Sequence, residues 1–337
     1  MHLGGTRFIE TVSGLPMLCA SRPHLEAHVA DHVASQPGVE MTRGVPVTGL
    51  VGDASELSVT GVRLGDGSTI DADLVVDATG RRTRSPEWLM ELGFAPPPEE
   101  RAGVRVAYAT RRYQLATGVL GGRLASLCGP TPERPRGGAV TRVEGDICLL
   151  TVFAAGDERP PTDPDGFDAF AASLEIDEAT QVLRKGTPID EPVGHGFDRN
   201  LRRRWERMDR VPDEFVAVGD SVCSLNPIYG QGMSVAALSA LALRRHAHGP
   251  ARRRTRAIAS VTREPWEMAV GADLTLPGAD RRPDRRQRLL ASYVARVHRA
   301  AGSDPRAGVG FMRVAGMVAP ARSLMRPRLL VSALTGR

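Results

Sequence analysis

The stretch FVAVGDSVCSLNPIYGQGM, residues 215–233, decides how the chain is read. Its apolar start has the composition of a buried strand, and Gly219 and Asp220 follow at once. After a loop, Gly230, Gln231, Gly232 and Met233 open a segment that predicts a helix running to about His248. Strand, loop and helix in that order put Asp220 at the carboxyl end of a strand, where open α/β sheets bind their ligands. Gly230 and Gly232 fall at a helix amino end, where bare N–H groups and the positive end of the dipole attract an anion or an electron-rich carbonyl. A lone GxG could equally mark a structural turn, so the inference rests on the full string.

Upstream, SRPHLEAHV (residues 21–29) opens an amphipathic helix with Leu25, Val29 and Val33 four apart and Ser21 to Pro23 as cap and first turn. Short strand-like pieces follow at 45–51, 57–64 and 69–70, then the apolar run 74–76, which predicts one buried strand ending at Asp77. The Pro- and Glu-rich residues 95–101 mark a boundary. Beyond it, 104–113 alternates like a half-buried strand, and 139–153 predicts a hairpin turning at Glu144, Gly145 and Asp146. Helical stretches at 167–174 and 178–184, extended chain at 189–197 and a charged connector at 199–210 lead back to the decisive motif.

Length and composition agree with a globular protein: 337 residues, 42% hydrophobic and 25% charged, exclude fibrous, disordered and disulfide-scaffold classes. The longest apolar run, near 235–243, is too short to span a bilayer. The start lacks the pattern of a secretory signal, and Cys19, Cys128, Cys148 and Cys223 form no CxxC, so a cytoplasmic location is expected. The net charge of +5 conceals an asymmetry. From Ala251 onward 18 arginines face 6 acids, whereas the preceding chain carries 26 basic and 33 acidic residues. These arginines alternate with Leu, Val, Met and Ala rather than with aromatics, which points to solvated helix faces and not to nucleic-acid binding. The eight histidines form no HExxH and no metal is expected. No GxSxG elbow is present, and Cys223 reads as a small buried residue rather than a nucleophile.

GDxxxxxNPxxGQGM resembles the third FAD signature of the class A FAD-dependent monooxygenases, the fold group of p-hydroxybenzoate hydroxylase and the squalene epoxidases. SRPHLEAHV and DADLVVDATGRRTRSPEWL (residues 71–89) are similar to further segments of that family. YATRRY, NPIYGQGMSVAAL and PWEMAVGADL look most like a bacterial subgroup of FAD-dependent oxidoreductases, to which the epoxidases of polyether antibiotic pathways are similar. The resemblance implies an α/β fold: a partial Rossmann-like FAD-binding domain with an inserted, mainly antiparallel substrate sheet and a helical carboxyl-terminal region. It divides the chain at 1–94, 95–210, 211–250 and 251–337.

The resemblance also implies roles. Asp220, after Gly219, would hold the ribityl hydroxyls of FAD, and the main chain of Gly230, Gln231, Gly232 and Met233 would face the pyrimidine edge of the isoalloxazine. Pro227 would sit beside the ring where oxygen adds. Arg22 would reach the pyrophosphate or ribityl region, its alternative being a solvated helix arginine. Asp77 to Gly80 would allow close backbone approach to the nucleotide, or simply end a strand in a turn. Ser221 replaces the family's usual Ala and would add a hydroxyl near the ribityl chain. The implied activity is hydroxylation or epoxidation of an apolar small molecule through a flavin hydroperoxide, with NAD(P)H as reductant. A reductase of isoprenoid-reductase type is the alternative. No catalytic side chain is singled out.

One departure is large. No GxGxxG precedes these motifs, although the opening βαβ unit of the fold carries its pyrophosphate on such a loop. The resemblance implies roughly a hundred further residues ahead of Met1. A chain lacking them would be a truncated fragment, would need a partner chain, or would bind FAD weakly.

Overall fold

The computed structural model describes residues 1–174 and 176–335. Two compact units interleave along the chain. One comprises Met1–Glu40, Gly103–Asp198 and the residues from Gly271 onward; the other comprises Met41–Ala102 and Arg199–Val270.

The first unit holds most of a large mixed sheet, whose order runs Cys223–Ser224, Val193–Arg203, Glu99–Gln114, Ile147–Ala155, Arg136–Arg142, Ala125–Cys128, His2–Leu3 and Thr6–Arg7. Cys223–Ser224, the last residues of Val193–Arg203 and the first of Glu99–Gln114 belong to the second unit. Its long central pairings are antiparallel, as the alternation in sequence suggests. The expected hairpin closes through Glu144–Asp146, where Gly145 takes φ 68°. Cys148, Leu150 and Val152 lie opposite Tyr113, Arg111 and Ala109, so one face of neighbouring strands points the same way. The helices Pro164–Ala172 and Asp177–Lys185 cover that face with Phe167, Phe170, Ala179 and Val182, which completes the main core. A Pro at the start of the first helix and Asp163 accepting from the Gly166 N–H fix where it begins.

A smaller core forms at the amino end. His2–Leu3 and Thr6–Arg7 make a hairpin whose two-residue turn, Gly4 and Gly5, has φ of 56° and 73° at both positions, as a primed turn requires. Phe8 then packs with Ala300, Ala301 and Ala307 of the carboxyl-terminal helices. The His298 ring stands edge-on to Phe311 at 4.4 Å and tilts against Phe8 at 5.7 Å. Gly4 serves this contact too, because a Cβ there would come within 2.7 Å of His298 Nδ1.

The second unit holds a three-stranded antiparallel sheet, Val47–Val51, Gly61–Leu64 and Thr69–Asp71, and a parallel pair, Val75–Asp77 with Phe215–Ala217. The helices Ser85–Glu91 and Gly232–His246 and most of Ala251–Asp273 belong to it.

Three sequence expectations need correction. The helix at 22–33 is present as Arg22–Ala34, capped by Ser21, but it buries no residue; Val29 is 53% and Val33 39% exposed. Spacing alone cannot say whether a surface covers an apolar stripe. The run at 74–76 forms a strand, but Val76 is 43% exposed, because a two-stranded sheet has little to cover both its faces. The connector at 199–210 is strand as far as Arg203, and Arg202 and Arg203 are buried. Glu99 and Glu100 of the same unit pair with them, which offsets the cost of burying charge.

Burial holds the His298 imidazole well below the ordinary histidine range, at about 4, and its Nε2 has no hydrogen-bond partner. The folded state therefore favours neutral His298, while the unfolded chain protonates near pH 6.5. Stability contributed by this site is full above pH 6.5 and falls as the pH drops toward 4. At pH 5 the loss is on the order of 2 kcal/mol. Urea unfolding at pH 7 and pH 5 should show a smaller acid-induced drop in His298→Leu than in the parent chain.

Candidate functional site

The site in the second unit starts from two strands that end level. Val75–Asp77 and Phe215–Ala217 run parallel, pairing Phe215 with Val75, Val216 with Val76 and Ala217 with Asp77. Two loops therefore leave the sheet side by side, 78–84 after the first strand and the turn Gly219–Ser221 after the second. The hydrogen bond from the Gly80 N–H to Ser221 Oγ, at 2.9 Å, holds them together.

Asp77 knots the loops. Its buried carboxylate accepts from the Thr79 N–H at 2.9 Å, the Thr79 hydroxyl at 2.6 Å, the Thr83 hydroxyl at 2.5 Å and the Ser221 hydroxyl at 3.1 Å. Ser221, fully buried, thus donates to Asp77 and accepts from Gly80. Arg203 adds a second tie by donating to the carbonyls of Ser221, at 3.4 Å, and Arg81, at 3.2 Å. Trp205 Nε1 also donates to the Ser221 carbonyl, and its ring packs on Phe215 at 5.4 Å.

Asp220 has a different setting. It is half-buried, and its Oδ1 lies 3.9 Å from where a Cβ on Gly232 would stand, so it faces the start of the helix Gly232–His246. The side chain of the N-cap residue, Gln231, makes no capping bond to that helix and the first turn holds no acid, while Arg244, Arg245 and His246 occupy the last turn. Its leading N–H groups and the positive end of its dipole are left to attract negative charge. Gly219, at φ 60°, packs the turn onto the helix, since a Cβ there would lie 3.3 Å from Ala236 Cβ.

The loop before the helix is shaped from beneath. Buried Asn200 accepts the Asn226 N–H at 2.8 Å, and Asn226 accepts the Ile228 N–H at 3.2 Å. This turns Pro227 outward, and Gly230, at φ 65°, reverses the chain into the helix. Gln231 is buried and Met233 exposed. A Cβ on Gly230 or on Gly80 would meet nothing within 4 Å. Main chain with open space before it, a carboxylate at a strand end and a helix start together suit a flat, polar, electron-rich ligand.

Of the residues singled out by sequence, Asp77, Gly80, Gly219, Asp220, Pro227, Gly230, Gln231, Gly232 and Met233 all fall in this unit. Arg22 belongs to the other, on the first turn of its helix, with Nε bonded to Glu26 at 2.7 Å. That helix also carries His24, His28 and His32 at four-residue spacing; among the described residues no three His, Cys, Asp or Glu side chains converge as a metal site would require. Burial pushes the Cys223 thiol up to about 12, far from a nucleophile's range. Thr83, Ser221, Asn200 and Arg203 support the site without belonging to the motif glycines. Only the Ser and Thr at short spacing from the strand-end acids hinted at them.

No protein-family model matches the chain. Protein Rv3254 of Mycobacterium tuberculosis is 31% identical over 311 residues, 87% of this chain, and the chain spans 65% of the length of that relative. Among solved structures, PqsL, a probable FAD-dependent monooxygenase from Pseudomonas aeruginosa, aligns with a TM-score of 0.53 at 18% identity, over 85% of this chain and 71% of its own. The flavin-dependent halogenase CmlS aligns at 0.56 and 17% identity, over 89% and 59%; the flavin-dependent brominase Bmp2 at 0.53 and 15%, over 94% and 70%. The chain has the mixed α/β fold of these flavin-dependent monooxygenases and halogenases.

Ser221→Ala leaves the Gly80 N–H without its acceptor and Asp77 without one donor. It should lower stability by about 1 to 3 kcal/mol, read as a lower urea midpoint at unchanged m.

Proposed function

We propose that this chain serves an FAD-dependent oxidoreductase, a monooxygenase that hydroxylates or epoxidises an apolar small molecule with NAD(P)H as reductant. The observation that carries the reading is the meeting of Asp220, the start of the helix Gly232–His246 and the open backbone at Gly80 and Gly230. A carboxylate there accepts hydroxyl donors, and a helix start favours negative charge, which fits a ring that becomes anionic on reduction beside a polyhydroxyl chain. FAD would supply the electron transfer to oxygen when bound. Asp220 would hold the ribityl hydroxyls, and the main chain from Gly230 to Met233 would steady the pyrimidine edge. Pro227, exposed on its loop, offers a rigid apolar wall with no N–H to compete for a ligand. Asp77 and Ser221 act indirectly, by fixing the turn at Gly80.

The likeness to CmlS supports halogenation as a second outcome, and the mass of the product distinguishes an added oxygen from an added halogen.

Titration of the 337-residue chain with FAD, followed by calorimetry and by flavin absorbance, should show binding. Asp220→Ala should weaken it by about 1.5 to 3 kcal/mol through loss of a charge-assisted bond. Equal affinity of parent and variant would overturn the assignment of Asp220.

A further inference from the structure

The helix Arg285–Ala300 is built differently at its two ends. Arg285, Arg286, Leu289, Leu290, Tyr293 and Val297 share one side of it, spaced three and four apart. Toward the carboxyl end that side is covered: Val297 is buried, and the Tyr293 hydroxyl donates to the Leu324 carbonyl at 2.6 Å. Toward the amino end it is bare, with Leu289 64% and Leu290 50% exposed.

Around these leucines basic side chains outnumber acidic ones. Arg281, Arg282, Arg285, Arg286 and Arg288 are all exposed. Arg281 donates to Gln287 and Arg288 to the Pro283 carbonyl, but among the described residues none of the five pairs with a carboxylate. The acids of the same segment are engaged elsewhere. Asp280 accepts the Gly103 N–H at 2.7 Å, and Asp284 caps the helix through the Gln287 N–H at 2.8 Å. Next to Leu324, Met325 is 52% exposed and is followed by exposed Arg326 and Arg328.

We propose that this surface docks the protein peripherally on an anionic lipid membrane, with guanidinium groups on the phosphodiesters and Leu289, Leu290 and Met325 at the acyl boundary. Arginines alone would suit any polyanion. Apolar side chains set flush among them gain nothing from a nucleic acid, which recruits aromatics for stacking, whereas they gain burial at a lipid interface. No helix among the described residues is long and apolar enough to cross a membrane. The proposal is independent of the flavin reading.

Co-sedimentation of the full chain with vesicles tests it. Vesicles of phosphatidylcholine mixed with an equal part of phosphatidylglycerol should pellet the protein, and vesicles of phosphatidylcholine alone should not. The pair Arg285→Glu, Arg286→Glu should weaken binding roughly tenfold or more, and raised salt should do the same. The pair Leu289→Ser, Leu290→Ser, which removes no charge, should also weaken vesicle binding while leaving the small affinity for a DNA duplex, read by fluorescence anisotropy, unchanged. Circular dichroism of both variants should match the parent. Failure to pellet with anionic vesicles, binding indifferent to both variants, or tighter binding to the duplex than to the vesicles would overturn the proposal.

Discussion

A buried carboxylate must have its charge answered by donors, and at Asp77 that requirement shapes the second unit. Four donors reach it from Thr79, Thr83 and Ser221, and the last of these lies 144 residues along the chain. Because Ser221 also accepts from Gly80, neither loop can shift without leaving a buried polar group unanswered. The level ending of the parallel strands sets the two loops side by side, and the carboxylate fixes how they meet.

The two aspartates at these strand ends divide the work. Asp77 points inward and holds backbone in place; Asp220 stays half-buried and faces the helix start. The same residue type, at the end of one strand and three residues past the end of its neighbour, ties two loops together in one case and faces the start of a helix in the other. Hydroxyls and an N–H group surround Asp77, and Asp220 Oδ1 lies 3.9 Å from where a Cβ on Gly232 would stand. Arg203 extends the inward logic, since its guanidinium reaches carbonyls of both loops while Glu99 balances its charge.

Much of this was legible beforehand, and for local reasons. Ser21 with Pro23 announced a helix start, Gly145 a hairpin, and the apolar run ahead of Gly219 a strand aimed at a loop. The GQG string marked the helix whose first turn lies open. What stayed hidden was non-local. Arg202 to Arg204 read as part of a charged connector because their partners, Glu99 and Glu100, lie about a hundred positions upstream. Ser221 read as a substitution of little weight because its acceptor belongs to the other loop. Leu25, Val29 and Val33 have a helical period that carries no information on whether anything covers them. The Gly4–Gly5 turn could have been found, since paired glycines between short extended segments are a hairpin signal.

The separation of the two paired strands also bears on biosynthesis. When Val75–Asp77 leaves the ribosome, its partner has not been made, and the whole of Gly103–Asp198 must be translated first. At ordinary elongation rates the wait is on the order of ten seconds, long compared with hydrophobic collapse of the intervening sheet. The nascent chain must therefore carry an unpaired strand edge, and a Gly80 N–H without its Ser221 acceptor, until Phe215–Ala217 and the turn after it arrive. Yield in the cell should depend on how well chaperones shield that interval, and slowing translation within the insertion would lengthen it without changing one contact of the finished protein.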